Sequence, residues 1–172
     1  MNANDGAEPP AVRPGSAQEG WVASLHLHPA QPGEPLRRVE SVELVQDKGM
    51  MGDCRYFGRL GRQSGAPSRR HVSLIEREQI AKHAQALGLT CIAPGAVRSN
   101  IETSGITLAD WLGREIEVGE VILLLHSLRE PCAKMDAVCQ GLRQRMLNGR
   151  QGVLAQVLRS GRIRIGDPIR PR

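Results

Sequence analysis

Five consecutive apolar residues, Val121, Ile122, Leu123, Leu124 and Leu125, constrain this chain more than any other stretch. Bounded by Gly119 and Pro131, they read as a strand buried on both faces, since a half-solvated strand alternates. The run continues through His126 and Arg129 to Pro131, which fixes its own φ and donates no ladder hydrogen bond. The chain must turn there and present Cys132 at the end of the sheet. Arg129 and Lys134 flank that cysteine, and nearby cations favour the thiolate, the form that acts as nucleophile or metal ligand. The competing reading is a small buried hydrophobe, as most free cysteines are. Met135, Val138, Leu142 and Met146 carry a helical stripe that predicts a helix right after Cys132, whose free amides would further favour a thiolate. Cys139, two turns along, is expected to pack on that helix.

The flanking segments predict more strands. Residues 1–18, rich in Pro, Gly and Ala, read as a disordered tail, leaving a single domain over 19–172. Trp21, Ala23, Leu25 and Leu27 alternate with Val22, Ser24, His26 and His28, which is a strand pattern. His26 and His28 share a face and suit a metal, but no third ligand stands nearby in sequence. A second strand is expected over Val39–Val45, followed by a Gly-rich corner at Gly49, Gly52 and Asp53. Residues 54–70, with five arginines, read as a long mobile loop, either a binding lid or disordered. Ser73-Leu74-Ile75-Glu76 has capping-box spacing and predicts a helix of about four turns ending at Gly88. Arg98 and Asn100 are expected to point the same way from a short extended segment. A helical turn over 107–112, a strand–turn–strand at Ile116–Ile122 echoed at Ile163–Ile169, and a β-hairpin over 152–169 complete a mainly β chain with a few helices.

Cysteine usage and charge bound the function. Cys54, Cys91, Cys132 and Cys139 contain no C-x-x-C pair and match neither a zinc module nor a secreted framework, so reduced thiols and a cytoplasmic location are expected. No stretch approaches the ~18 apolar residues of a membrane span. The net charge of +5 comes almost wholly from arginine, with only three lysines (Lys48, Lys82, Lys134) among 23 basic residues. Arginine forks suit phosphate and carboxylate ligands.

The ordered set Gly52-Asp53, Arg70-His71-Val72-Ser73-Leu74, Pro94-Gly95, Arg98-Ser99-Asn100-Ile101, Gly105, Leu112-Gly113, Val118-Gly119, Arg129-Glu130-Pro131-Cys132, Gly152-Val153 and Gly166-Asp167 resembles MOSC domains over about residues 20–170. The family is named for the C-terminal domain of molybdenum-cofactor sulfurases. The resemblance implies an α+β, barrel-like, mainly β domain. It implies that Cys132 either ligates molybdenum in a molybdopterin-type cofactor, in members that reduce N-hydroxylated compounds, or carries sulfur as a persulfide. Arg98 and Asn100 match a segment that contacts the pterin, and Arg70 and Arg129 are carried over for the cofactor's anionic groups. Ser99 departs from the Glu or Pro usual in relatives, and the arginine-rich loop has no counterpart in the motif.

The chain carries no iron–sulfur, flavin or nicotinamide motif and no pyridoxal-phosphate domain. A separate electron-donor or sulfur-donor protein is therefore expected as partner, with a small molecule as substrate. The alternative class is a non-catalytic basic β-barrel that binds nucleic acid or an acidic partner. Charge supports it, but an aromatic content of 2% leaves little for base stacking.

Overall fold

The computed structural model describes residues 19–172, so the expected N-terminal tail lies outside the described residues. Eleven strands and three helices follow in order: β1 (Gly20–Leu27), β2 (Arg37–Val39), β3 (Ser41–Val45), β4 (Gly49–Met50), β5 (Val72–Glu76), α1 (Arg77–Ala86), β6 (Ile101–Ser104), β7 (Glu115–Val118), β8 (Val121–Leu128), α2 (Lys134–Val138), α3 (Leu142–Arg145), β9 (Val153–Arg159), β10 (Gly161–Arg164) and β11 (Pro168–Pro171), with a 3-10 turn at Leu108–Trp111. The main sheet runs β11-β7-β8-β9-β5-β6-β1-β2, and β11 also pairs with β1, which closes seven strands into a barrel and leaves β2 as an appended edge. The remaining three strands form a second sheet, β10-β3-β4. This is the mainly β, α+β barrel that the sequence predicts.

Two apolar layers explain the closure. Val22, Leu25, Leu74, Ile101, Leu123, Leu125 and Ala155 fill the barrel, while Ile75, Ile80, Ala84, Val97, Met135, Leu142 and Met146 form a second layer outside it. β5 faces both, with Leu74 inward and Ile75 outward. It pairs parallel with β6 and antiparallel with β9, and α1 makes the crossover that a parallel pair requires. Each fully buried Leu, Ile or Met stabilises by roughly 1.5–3 kcal/mol, so the outer layer is what fixes α1, α2 and α3 to the barrel wall.

Several local expectations are corrected. The capping box is not one: Ser73 to Glu76 are all buried strand, the Ser73 hydroxyl bonds to the Asn100 side chain, and the helix starts at Arg77 and is ten residues long. The expected strand Val39–Val45 is two strands that break at Glu40, one in each sheet. The expected C-terminal hairpin does not form, because β9 pairs with β8 and β5 whereas β10 pairs with β3. Ser160 stabilises that divergence by accepting a hydrogen bond from the Gln46 amide at 2.8 Å.

β8 is not equally buried on both faces: Val121, Leu123 and Leu125 point into the barrel, and Leu124 and His126 are half-buried outside. A bulge between Val22 and Ser24 puts Val22 and Leu25 on the same inward side and leaves Trp21 exposed, so the simple alternation of β1 fails there. The single helix after Cys132 is two short ones, interrupted where Cys139 is extended and Gly141 is left-handed (φ +86°). Asp136 ties the break by accepting from the Gly141 and Arg143 amides, both at 3.1 Å. Among the described residues no helix is long and apolar enough to cross a membrane.

Candidate functional site

One end of the barrel gathers the chemistry. β8 finishes at Leu128, and its ladder carries on for one more hydrogen bond, from the Arg129 amide to the Gly152 carbonyl at 2.9 Å. Pro131 is buried, and Cys132 emerges exposed just beyond it. The α2 helix behind Cys132 begins only at Lys134 and is five residues long, too short for the helix-end argument made from sequence. Three arginines, Arg55, Arg70 and Arg129, line the cysteine's pocket, with Glu130 as the one acidic residue of that lining.

Arg129 is 7% exposed, yet it forms no ion pair among the described residues. Its guanidinium donates to the Val97 carbonyl at 3.4 Å and the Arg98 carbonyl at 2.8 Å. Burial, above all, lowers its proton affinity; Arg55 and Arg98 lower it further, while Tyr56 and Cys132 oppose them. The two bonds hold the backbone of Arg98, which is left-handed (φ +57°) although it is not a glycine. Strain of that kind costs about 1–3 kcal/mol and persists only where the surroundings impose it. Arg98 therefore does not share an extended segment with Asn100: it lies in a turn, and β6 starts only at Ile101.

The turn is anchored from beneath as well. Glu102, fully buried, accepts from the Gly95 amide at 2.8 Å, the Ser24 hydroxyl at 2.9 Å and Arg77 at 2.9 Å, and Arg77 also holds the Ile92 carbonyl. The Arg98 side chain donates to the Glu34 carbonyl at 2.9 Å, but its Nε is buried with no partner among the described residues. Burial and the nearby Arg55 lower its proton affinity from the ordinary arginine value, with Cys132 acting in the opposite sense.

Asn100 lies a layer below, fully buried and spent on protein groups. Its Oδ1 accepts from the Ser73 amide and hydroxyl, and its Nδ2 donates to the His26 carbonyl at 3.1 Å and to Asp53 Oδ2 at 2.7 Å. Asp53 is the hub. Its Oδ2 also accepts from the amide and the Nδ1 of His28, each at 2.8 Å, and its Oδ1 accepts from the amides of Arg55 and Tyr56. Burial opposes ionisation of Asp53, but the His28 ring and backbone hydrogen bonds outweigh it and hold the carboxyl below its ordinary range. The Asp53 bond fixes the proton of His28 on Nδ1. Burial, the largest influence, keeps that imidazole neutral at lower pH than usual despite Asp53. The Tyr56 ring stands edge-on to His28, with centroids 5.3 Å apart.

Two cavities open on this frame. A groove of about 340 Å³ is lined by His28, Cys54 and five cations, Arg55, Arg59, Arg62, Arg98 and Lys134, with no acidic residue. Among the described residues none of the five forms an ion pair. A smaller pocket of about 130 Å³ is lined by Cys132 with Arg55, Arg70, Arg129, Tyr56 and Gln151, among others. Arg55 belongs to both walls.

Of the residues singled out from sequence, Arg70, Arg129 and Cys132 meet in the small pocket, Arg98 lines the adjoining groove, and Asn100 supports both from the interior. Sequence reasoning missed Arg55, Tyr56, Gln151 and the His28–Asp53 pair. Only the Gly52-Asp53 corner hinted at the last. His26 and His28 do lie on one face, but among the described residues no three His, Cys, Asp or Glu side chains come together as a metal-binding group. The arginine-rich loop is a series of turns bridged at Leu60 and Pro67, and it lends three arginines to the groove.

The chain is similar in structure to several solved proteins. YuaD from Bacillus subtilis superposes with a TM-score of 0.75 at 19% identity, over 88% of this chain and 94% of that one. YiiM from Geobacillus stearothermophilus gives 0.66 at 18% identity over 89% and 75%, and YiiM from Escherichia coli gives 0.62 at 19% over 88% and 69%. No curated protein matches the sequence. The sequence profile of the MOSC domain matches residues 41–170, from β3 to the last strand of the barrel, and the chain therefore belongs to the MOSC domain family.

Proposed function

We propose that this protein holds a molybdopterin-type molybdenum cofactor, with Cys132 as the thiolate ligand of the metal, and reduces small N-hydroxylated compounds. The observation that carries the reading is the juxtaposition of an exposed cysteine with a cationic groove that has no acidic residue and no internal ion pairs. Such a groove has its positive charge uncommitted, which suits a phosphate-bearing ligand. The buried Nε of Arg98, unpartnered among the described residues, fits the same group, as does the soft sulfur donor Cys132 in the adjoining pocket.

When bound, the cofactor would supply two-electron oxygen-atom chemistry. The chain's own residues do the holding. Arg98 and Lys134 take the anionic part, and Cys132 Sγ ligates the metal. Arg129 keeps Arg98 in its left-handed turn, and Arg70 adds positive charge beside the thiol. Asn100 acts indirectly, through Asp53 and His28, by fixing the floor of the groove. Electrons come from a separate donor protein.

The exposure of Cys132 favours one second reading, persulfide carriage, because a donor protein must reach Sγ to load it. Metal and pterin analysis of protein from a host that makes the cofactor, with Cys132→Ala alongside, tests both. Near-stoichiometric molybdenum that disappears in the variant, with the fold intact, is the expected result. A folded, fully active Cys132→Ala protein refutes the role of Cys132, and molybdenum in neither protein directs attention to a persulfide assay.

A further inference from the structure

The loop between α3 and β9 places one polar side chain where the fold has no use for it. Gln151 is 1% exposed and lines the Cys132 pocket, yet among the described residues its Oε1 is buried without a hydrogen-bond partner and no other group bonds its side-chain amide. A buried orphan acceptor costs roughly as much as a lost hydrogen bond, so it is retained only where it has another use.

The backbone on either side explains why the side chain cannot turn away. The Arg150 carbonyl accepts from His83 Nε2 at 2.8 Å, and Gly152 is left-handed (φ +83°) and pressed against the Leu74 carbonyl of β5. Gln151 is thus clamped from both sides by contacts that do not involve its own amide. Across the sheet end, the Gly152 carbonyl takes the Arg129 amide, which sets Gln151 beside the segment that delivers Cys132.

Hydrogen-bond donors outnumber acceptors on the wall of this pocket. Arg55, Arg70 and Arg129 donate hydrogen bonds and accept none. Two acceptors stand opposite them, the Glu130 carboxylate, which is exposed to water, and the Gln151 carbonyl, which is buried away from it. A ligand that satisfies both must present a lone pair to an arginine and an N–H or O–H to Gln151, over the few atoms that about 130 Å³ admits. A carboxylate or ester lacks the donor; an N-hydroxy group next to a carbonyl or imine carries both.

We propose that Gln151 is the substrate-reading residue of the Cys132 pocket: its side-chain carbonyl accepts the N–H or O–H of a small N-hydroxylated compound whose lone pairs face the arginines. The assignment rests on the reductase reading given above and names the residue that selects the substrate.

The test is a titration of the 15N-labelled full chain with acetohydroxamic acid, and with methyl acetate, which is of similar size and accepts but does not donate. The Gln151 side-chain amide signals, identified by their loss in Gln151→Met, are expected to shift with the hydroxamic acid and not with the ester. In Gln151→Met, binding read at the Gly152 amide weakens by about fivefold or more. The Tm of that variant is unchanged or higher, because an unsatisfied buried polar atom has been removed. Absent binding of the hydroxamic acid to the wild type, equal binding of the ester, unchanged affinity in Gln151→Met or a lowered Tm would each overturn the assignment. These readouts are independent of molybdenum content, so a metal-free protein that passes them leaves Gln151 assigned, and a molybdenum-loaded protein that fails them removes Gln151 alone.

Discussion

Gly152→Ala is the most demanding test of the geometry that holds the site. Gly152 has φ +83°, and a Cβ built on it would sit 2.0 Å from the Leu74 carbonyl oxygen and 3.0 Å from Ile75 Cα. Neither neighbour is a flexible side chain. Leu74 is paired on one side with Ile101 and on the other with Val153, so relief would require β5 or β9 to move by about an ångström against two ladders. The left-handed backbone costs an alanine about 1–2 kcal/mol, and forcing a methyl into a packed sheet adds about 1–3 kcal/mol. We expect a loss of about 2–5 kcal/mol, a large part of the roughly 5–15 kcal/mol by which domains are stable. Equilibrium urea unfolding measures it, with Gly166→Ala as the reference. Gly166 has a similar φ of +89° but nothing within 4 Å of its virtual Cβ, so it isolates the backbone cost. If both variants lose the same amount, or if Gly152→Ala loses less than about 1 kcal/mol at unchanged m, the steric argument is wrong.

Two further outcomes follow from electrostatics. His26, His28, His71 and His83 are buried, and burial chiefly lowers the pKa of each from 6.5. The unfolded chain therefore binds more protons below 6.5, and stability falls as the pH drops through that value. Each histidine that stays neutral when folded costs about 1.4 kcal/mol between pH 7.5 and 5.5, and four give about 5.6 kcal/mol as the limit. Glu76, whose pKa burial raises, offsets at most one proton nearer 4.5. A total loss below about 1.4 kcal/mol in urea unfolding at the two pH values contradicts this. Separately, calorimetric titration with inorganic pyrophosphate should show binding that weakens with salt and falls about tenfold in Arg98→Ala, as expected for one charge-assisted hydrogen bond. Arg170→Ala, which removes only the exposed pair with Glu19, should leave it unchanged, and equal effects of the two variants would deny the groove its role.

The parts legible in the sequence were those governed by neighbours in the chain. The apolar run of β8, the turn at Pro131 and the emergence of Cys132 all follow from residues within a short window, and so does the 3-10 turn at Leu108–Trp111. The misread parts depended on partners far away. Strand, Ser-Gly and strand make a hairpin by local rules, but β10 joins β3 because Ile163 fits opposite Val42 in the second sheet. Ser73 has the spacing of a cap, yet a hydrogen bond to a residue 27 positions on engages its hydroxyl inside the sheet. Within the site, Arg129 and Cys132 were visible by adjacency. The His28–Asp53 pair spans 25 residues and Gln151 stands nineteen after Cys132, so no window read along the chain joins them.

The pairing of Gly20 with Ile169 has a consequence for how the chain is made. Its two strands lie about 150 residues apart in the chain, so the barrel has no closed form until β11 has left the ribosome. Until then β1 presents an open edge, with only β2 and β6 to cover the rest of its length. Contacts of such long sequence separation form late and slow folding, and an uncovered strand edge invites pairing with another chain. Loss of β11 would leave that edge open for the life of the protein. Deletion of β11 should therefore appear first as aggregation during synthesis, before any loss of binding at Cys132 is measured.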